Sequence, residues 1–73
     1  MEEKILEICK GVNDTVDYTS TKLIDDGLLD SVTLISIISE FSDNFDVYIP
    51  YEEIIPDNFN SIKAMAELVE RYA

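Results

Sequence analysis

Seventy-three residues suffice for one domain with one modest core, above the roughly 40 residues below which unaided folding becomes difficult. Five Lys and Arg against sixteen Asp and Glu leave a net charge of −11, which repels nucleic acid and anionic lipid and favours basic protein partners. So short a chain can scarcely enclose a substrate on all sides, and without His the usual general base and transition-metal ligand is missing; a module that is acted upon, not an enzyme, is expected.

The first predicted helix runs from residue 2 to about residue 12. Ile5, Ile8, Cys9 and Val12 recur at helical spacing and Leu6 widens the stripe. Glu2 and Glu3 suit the positive end of the helix dipole, and Gly11 is the expected terminator. Cys9 is the only cysteine, so an internal disulfide is excluded and the residue reads as a small core filler. The opening Met1-Glu2-Glu3-Lys4 lacks a basic region followed by an apolar run, so no signal peptide is expected. Nor does any apolar stretch approach the roughly 20 residues that span a bilayer. A soluble, cytoplasmic monomer is expected.

From Asn13 to Asp30 no helical period persists. A connection this long is usually disordered or functional. Val16, Tyr18, Leu23, Ile24, Leu28 and Leu29 argue against disorder and are expected to strap the loop across the helices. The second helix, from Ser31 to about Asn44, carries a core stripe of Leu34, Ile37, Ile38, Phe41 and Phe45. Asp30 is a good N-cap, which places Ser31 in the first turn, side chain outward. Val32 and Ile35 fall outside the stripe, toward whatever approaches Ser31. The surroundings are of one sign: no basic residue stands between Lys22 and Lys63, while Asp25, Asp26, Asp30, Glu40, Asp43, Asp46, Glu52, Glu53 and Asp57 do.

Phe45 to Pro50 alternates like a strand but has no partner strand, so an extended connector is expected. Pro50 then opens a short helical turn, Tyr51 to Ile55, which Pro56 stops. The last helix starts after a cap at Asn60 or Ser61, with Ile62, Met65, Ala66, Leu68, Val69 and Tyr72 as its apolar positions. The expected fold is all-α, a single domain over 1–73: a small bundle of three main helices plus one short helix.

This order of elements, with Leu23-Ile24-Asp25-Asp26-Gly27-Leu28-Leu29-Asp30-Ser31-Val32 at its centre, resembles the acyl carrier protein family. Phe45 through Pro50, Glu52-Glu53-Ile54 and Asn58-Phe59-Asn60-Ser61-Ile62 extend the resemblance over nearly the whole chain. Gly27 stands four residues before Ser31, a spacing closer to D-alanyl and stand-alone aminoacyl or specialised carriers than to fatty-acid carriers. Likewise Thr33, Ser36 and Ser39 stand where fatty-acid carriers are rich in acids. The resemblance implies that Ser31 bears 4′-phosphopantetheine, derived from coenzyme A and attached by a separate phosphopantetheinyl transferase, with Asp30 as the motif's aspartate. Cargo would ride on the arm's thiol as a thioester. Leu29, Val32 and Ile35 would form the apolar part of a partner-docking patch, and Glu40 with the loop acids would steer basic partners.

The implied partners are the transferase, a cargo-loading ligase, adenylation enzyme or acyltransferase, and a downstream synthase or transferase. Fatty acyl, aminoacyl, D-alanyl and polyketide cargo remain open, and with them fatty acid, nonribosomal peptide or polyketide biosynthesis as the setting. The alternatives are an unmodified acidic helical adaptor and a calcium module. Asp43-Asn44-Phe45-Asp46 lacks the ligand alternation and glycine of a calcium loop.

Overall fold

The computed structural model describes all of residues 1–73. It contains α1 (Glu2–Val12), α2 (Ser31–Phe45), a 3-10 turn at Tyr51–Glu53, α3 (Pro56–Phe59) and α4 (Ile62–Tyr72). There is no strand, and no helix is long and apolar enough to cross a membrane. α1 packs against both α2 and α4, and α3 packs against α4.

The apolar periods place the core where helical geometry requires. Ile5, Ile8 and Cys9 of α1 are buried, as are Ile37 and Phe41 of α2 and Met65, Ala66, Leu68 and Val69 of α4. Leu34, Ile38 and Phe45 are half-buried against that core, and the rings of Phe41 and Phe45 meet edge to face with centroids 6.2 Å apart. Tyr72, the last position of the α4 stripe, is exposed. No charged side chain is buried. Burial pushes the Cys9 thiol up to about 12, so at neutral pH it is an uncharged filler, its sulfur 3.8 Å from that of Met65.

Two punctuation signals act differently from expectation. Gly11 lies inside α1, and the helix ends at Val12, where Asn13 turns extended with its N–H still bonded to the Cys9 carbonyl at 2.9 Å. Asn13 then bends the chain with its own side chain, accepting from the Thr15 N–H and hydroxyl at 2.9 and 2.7 Å. Pro56 opens α3 rather than stopping the preceding turn, which is the 3-10 turn Tyr51–Glu53. A proline at the first helical position loses only an N–H that has no partner there.

The long loop between α1 and α2 is ordered by anchors. Tyr18 is buried, and its hydroxyl is shared between the Cys9 and Asn13 carbonyls at 2.9 and 2.6 Å, so that the Cys9 carbonyl, already bonded to the Asn13 N–H, gains a second donor at the end of α1. Leu23 is wholly buried and belongs to the same core.

Beyond α2, Asp46 takes the left-handed conformation (φ 52°) that ends the helix. Val47 and Ile49 then point inward while Tyr48 is exposed. The alternation seen in the sequence is that of an extended segment laid over the core without a partner strand. Glu53 fastens the connector to α4, accepting from the Tyr72 hydroxyl at 2.6 Å and lying 3.8 Å from Arg71. At the head of α4, Ser61 caps the helix through the Ala64 N–H at 3.0 Å.

The Arg71–Glu53 contact is the one ion pair in the molecule, so most of the sixteen acids repel one another uncompensated. Raising the ionic strength from about 0.01 M to about 0.1 M shortens the screening length from roughly 30 to roughly 10 Å. The Tm is therefore expected to rise by several degrees at neutral pH, since about 1 kcal/mol corresponds to roughly 4–8 °C in a domain of this size. A Tm indifferent to salt would show that the acids are too dispersed to strain the fold.

Candidate functional site at the head of the second helix

Ser31 is the first residue of α2 and is exposed. Its position is set on both sides. Behind it, the Asp30 carboxylate accepts from the Thr33 N–H at 2.7 Å, and the Asp30 carbonyl accepts from the Leu34 N–H at 2.9 Å. Before it, the residues from Leu23 to Leu29 form a closed turn. The Leu23 carbonyl receives both the Leu28 and Leu29 N–H groups, at 2.9 and 3.0 Å. Gly27 bonds to the Ile24 carbonyl at 3.0 Å with φ at +72°, a conformation that disfavours a side chain. The glycine four residues before Ser31 is thus required by the turn.

The hydrogen bonds from Thr33, backbone first and hydroxyl second, hold the Asp30 carboxyl below the usual carboxylate range. Such a cap stabilises the helix head above the ordinary value of 3.8 and is lost as pH falls through the lower folded-state value. At neutral pH, Asp30→Ala is expected to reduce the amide-exchange protection of Thr33, whereas Asp30→Asn keeps an acceptor and most of the protection. The wild type should approach the alanine variant only in acid. Equal protection in all three at neutral pH would remove the cap from the account.

The apolar residues expected beside Ser31 divide unequally. Val32 and Ile35 are 77% and 58% exposed, large values for such side chains on a helix that otherwise packs. Leu29 is 4% exposed and belongs to the core, so it is not available to a partner; its neighbour Leu28, expected as an anchor, is 42% exposed. The left-handed Gly27 and the paired bonds to Leu23 set which leucine turns inward.

Glu40 is exposed but is not brought to the same patch. It sits roughly 140° around the helix from Ile35 at 100° per residue. There it lines a shallow groove with Lys4, Glu7 and Asn44, and its carboxylate accepts from the Asn44 amide at 3.2 Å. A larger open groove of about 510 Å³, floored by Leu6, Val16, Tyr18 and Ile62, involves no residue between Thr19 and Ile62. The serine therefore stands on a surface, not in a cleft.

A D-alanyl carrier protein of Listeria welshimeri is 33% identical over 60 residues, covering 78% of this chain and 77% of the relative. The D-alanyl carrier protein of Listeria monocytogenes strain EGD-e matches to the same extent. The chain belongs to the acyl carrier protein family. An aminoacyl carrier protein 2 from Bradyrhizobium diazoefficiens is also 33% identical, over 71% of this carrier and 57% of the relative. No family model matches the carrier, and no solved structure does. What sequence reasoning missed around the site is Asn60, half-buried at the corner between α3 and α4 and bonded to the loop that leads into Ser31. The sequence offers Asn60 only as one of two possible caps for the last helix, a role that Ser61 fills.

Proposed function

We propose that this protein is an aminoacyl carrier, bearing 4′-phosphopantetheine on Ser31 and cargo as a thioester on the arm's thiol. The observation that carries the reading is an exposed serine at the first position of a 15-residue helix, behind an aspartate cap, in a chain of this family. The helix head fits the group: its first-turn amides and positive dipole end favour an anion, which offsets repulsion from Asp25, Asp26 and Asp30. When bound, the arm supplies a mobile thiol that holds an acyl group activated for transfer. This chain's own contribution is to present the oxygen rigidly, since Ser31 has no base beside it and activation belongs to the transferase.

Val32 and Ile35, with Leu28 in the place expected for Leu29, form the apolar contact for partner enzymes, and the loop acids steer basic ones. Those partners are a phosphopantetheinyl transferase, an adenylating ligase that loads the cargo, and a downstream acyltransferase. The setting is cytoplasmic. The names of the relatives favour an amino acid as cargo, D-alanine first.

Incubation with coenzyme A and a broad-specificity transferase tests the reading. Intact mass is expected to rise by one phosphopantetheine, and the product is expected to accept D-alanine from an adenylating ligase. An arm without D-alanine uptake would leave the carrier role and redirect the cargo. No mass change with a competent transferase would favour the unmodified adaptor.

A further inference from the structure

The turn that presents Ser31 has no regular element of its own, and its anchor lies far away in sequence. Asn60 sits between Phe59, the last residue of α3, and Ser61, the cap of α4. Its backbone carbonyl accepts from the Leu23 N–H at 2.9 Å. Its side-chain Oδ1 accepts from both the Ile24 and Asp25 N–H groups, at 2.9 and 3.0 Å, and its Nδ2 donates to the Asp25 carboxylate at 3.2 Å. One residue thus grips three consecutive loop residues. On the other side of the grip, the Leu23 carbonyl holds the Leu28 and Leu29 N–H groups, and Leu29 stands two residues before Ser31.

Asparagine suits this place because one side chain supplies an acceptor with two lone pairs and a donor. Alanine would release both amides, the Ile24 N–H from a half-buried contact and the Asp25 N–H to water. Aspartate would keep the acceptor but set a second carboxylate against Asp25.

We propose that Asn60 is a positioning residue for the modification of Ser31, acting through the Leu23–Leu29 turn to fix the direction in which the serine oxygen is offered. The inference rests on Ser31 being the attachment point. Without the grip the serine stays exposed, but its line of approach to the incoming phosphoryl group is averaged over a wider arc. Misplacing a reacting group by about an ångström can cost up to about a hundredfold in rate. The exposed Val32 and Ile35 lie on α2 and not on the turn, so two of the three docking side chains are spared and only Leu28 moves with the turn; the loss falls on kcat more than on KM.

Steady-state kinetics of arm transfer from coenzyme A, at a temperature where every variant is folded by circular dichroism, test this. Asn60→Ala is expected to lower kcat on the order of tenfold with little change in KM. Asn60→Asp should also slow transfer, and adding Asp25→Asn in that background should recover it, because donor and acceptor are then exchanged across the same contact. Ile8→Val, a trimmed core residue of α1, serves as the control for lost stability and should keep kcat. In the unmodified protein, the Leu28 and Leu29 amides should exchange faster in Asn60→Ala and not in Ile8→Val. A loaded wild type with Asn60→Ala turning over equally fast, or with Ile8→Val losing as much, overturns the inference and leaves the carrier reading standing. A wild type that accepts no arm from a competent transferase overturns both.

Discussion

Ser31→Ala protein is expected to gain no mass with coenzyme A and a competent transferase, under conditions where the wild type is converted fully. Five other serines, at 20, 36, 39, 42 and 61, remain in the chain. The prediction is therefore that one of six hydroxyls is used and the other five do not substitute. The physical ground is placement. Ser36, Ser39 and Ser42 lie within α2, and Ser61 is engaged as the cap of α4. Ser31 alone stands at the head of α2, after a turn fixed by Leu23 and a cap fixed by Asp30. Because it is exposed and alanine is well tolerated in a helix, the substitution should leave the Tm within a degree or two of wild type, by the usual tolerance of surface sites. Intact-mass spectrometry paired with a melting curve makes the check. Residual mass gain on another serine would move the attachment point, and a collapsed melting curve would make the loss uninformative about chemistry and assign Ser31 to the fold.

Phe41→Ala is the change expected to damage the fold most. Phe41 has no solvent exposure, stands in the middle of the buried face of α2 and packs edge to face on Phe45. Phe-to-Ala substitutions in cores cost roughly 3–5 kcal/mol, and small domains have only about 5 kcal/mol in hand. The variant should therefore lose its cooperative urea transition, or show it at a small fraction of the wild-type midpoint. It should also regain part of its structure in added salt, because screening relieves the acids that a thin core otherwise has to hold together. Phe45→Ala, at a half-buried position, should fall between Phe41→Ala and wild type. Similar urea midpoints for the two variants would place the packing centre elsewhere.

The helices were legible because their signals are local and periodic. The 3.6-residue repeat drew α1, α2 and α4 nearly to their ends, and Asp30 and Ser61 announced their helices as side-chain caps do. Three features had no such signature. Proline marks the start of one helix and the end of another with the same chemistry, so Pro56 could be read either way. Leu28 and Leu29 lie in a turn without a period, and which of them is buried depends on one left-handed glycine and two bonds to a single carbonyl. The grip of Asn60 joins residues 35 and 36 positions apart, a pairing that local sequence does not encode. The placement of Ser31 at the exposed head of α2 was readable because its environment is built from its neighbours; the brace behind it was not, because it comes from the far end of the chain.

The buried sulfur of Cys9 has a practical use. Sealed from water and held as an uncharged thiol, it should be blind to maleimides and disulfide reagents in the native protein. Any sulfhydryl that such a reagent counts on the folded chain would then belong to the proposed phosphopantetheine arm. Colorimetric titration could report the fraction of molecules armed, and blocking of that signal the fraction charged, without any label engineered into the protein.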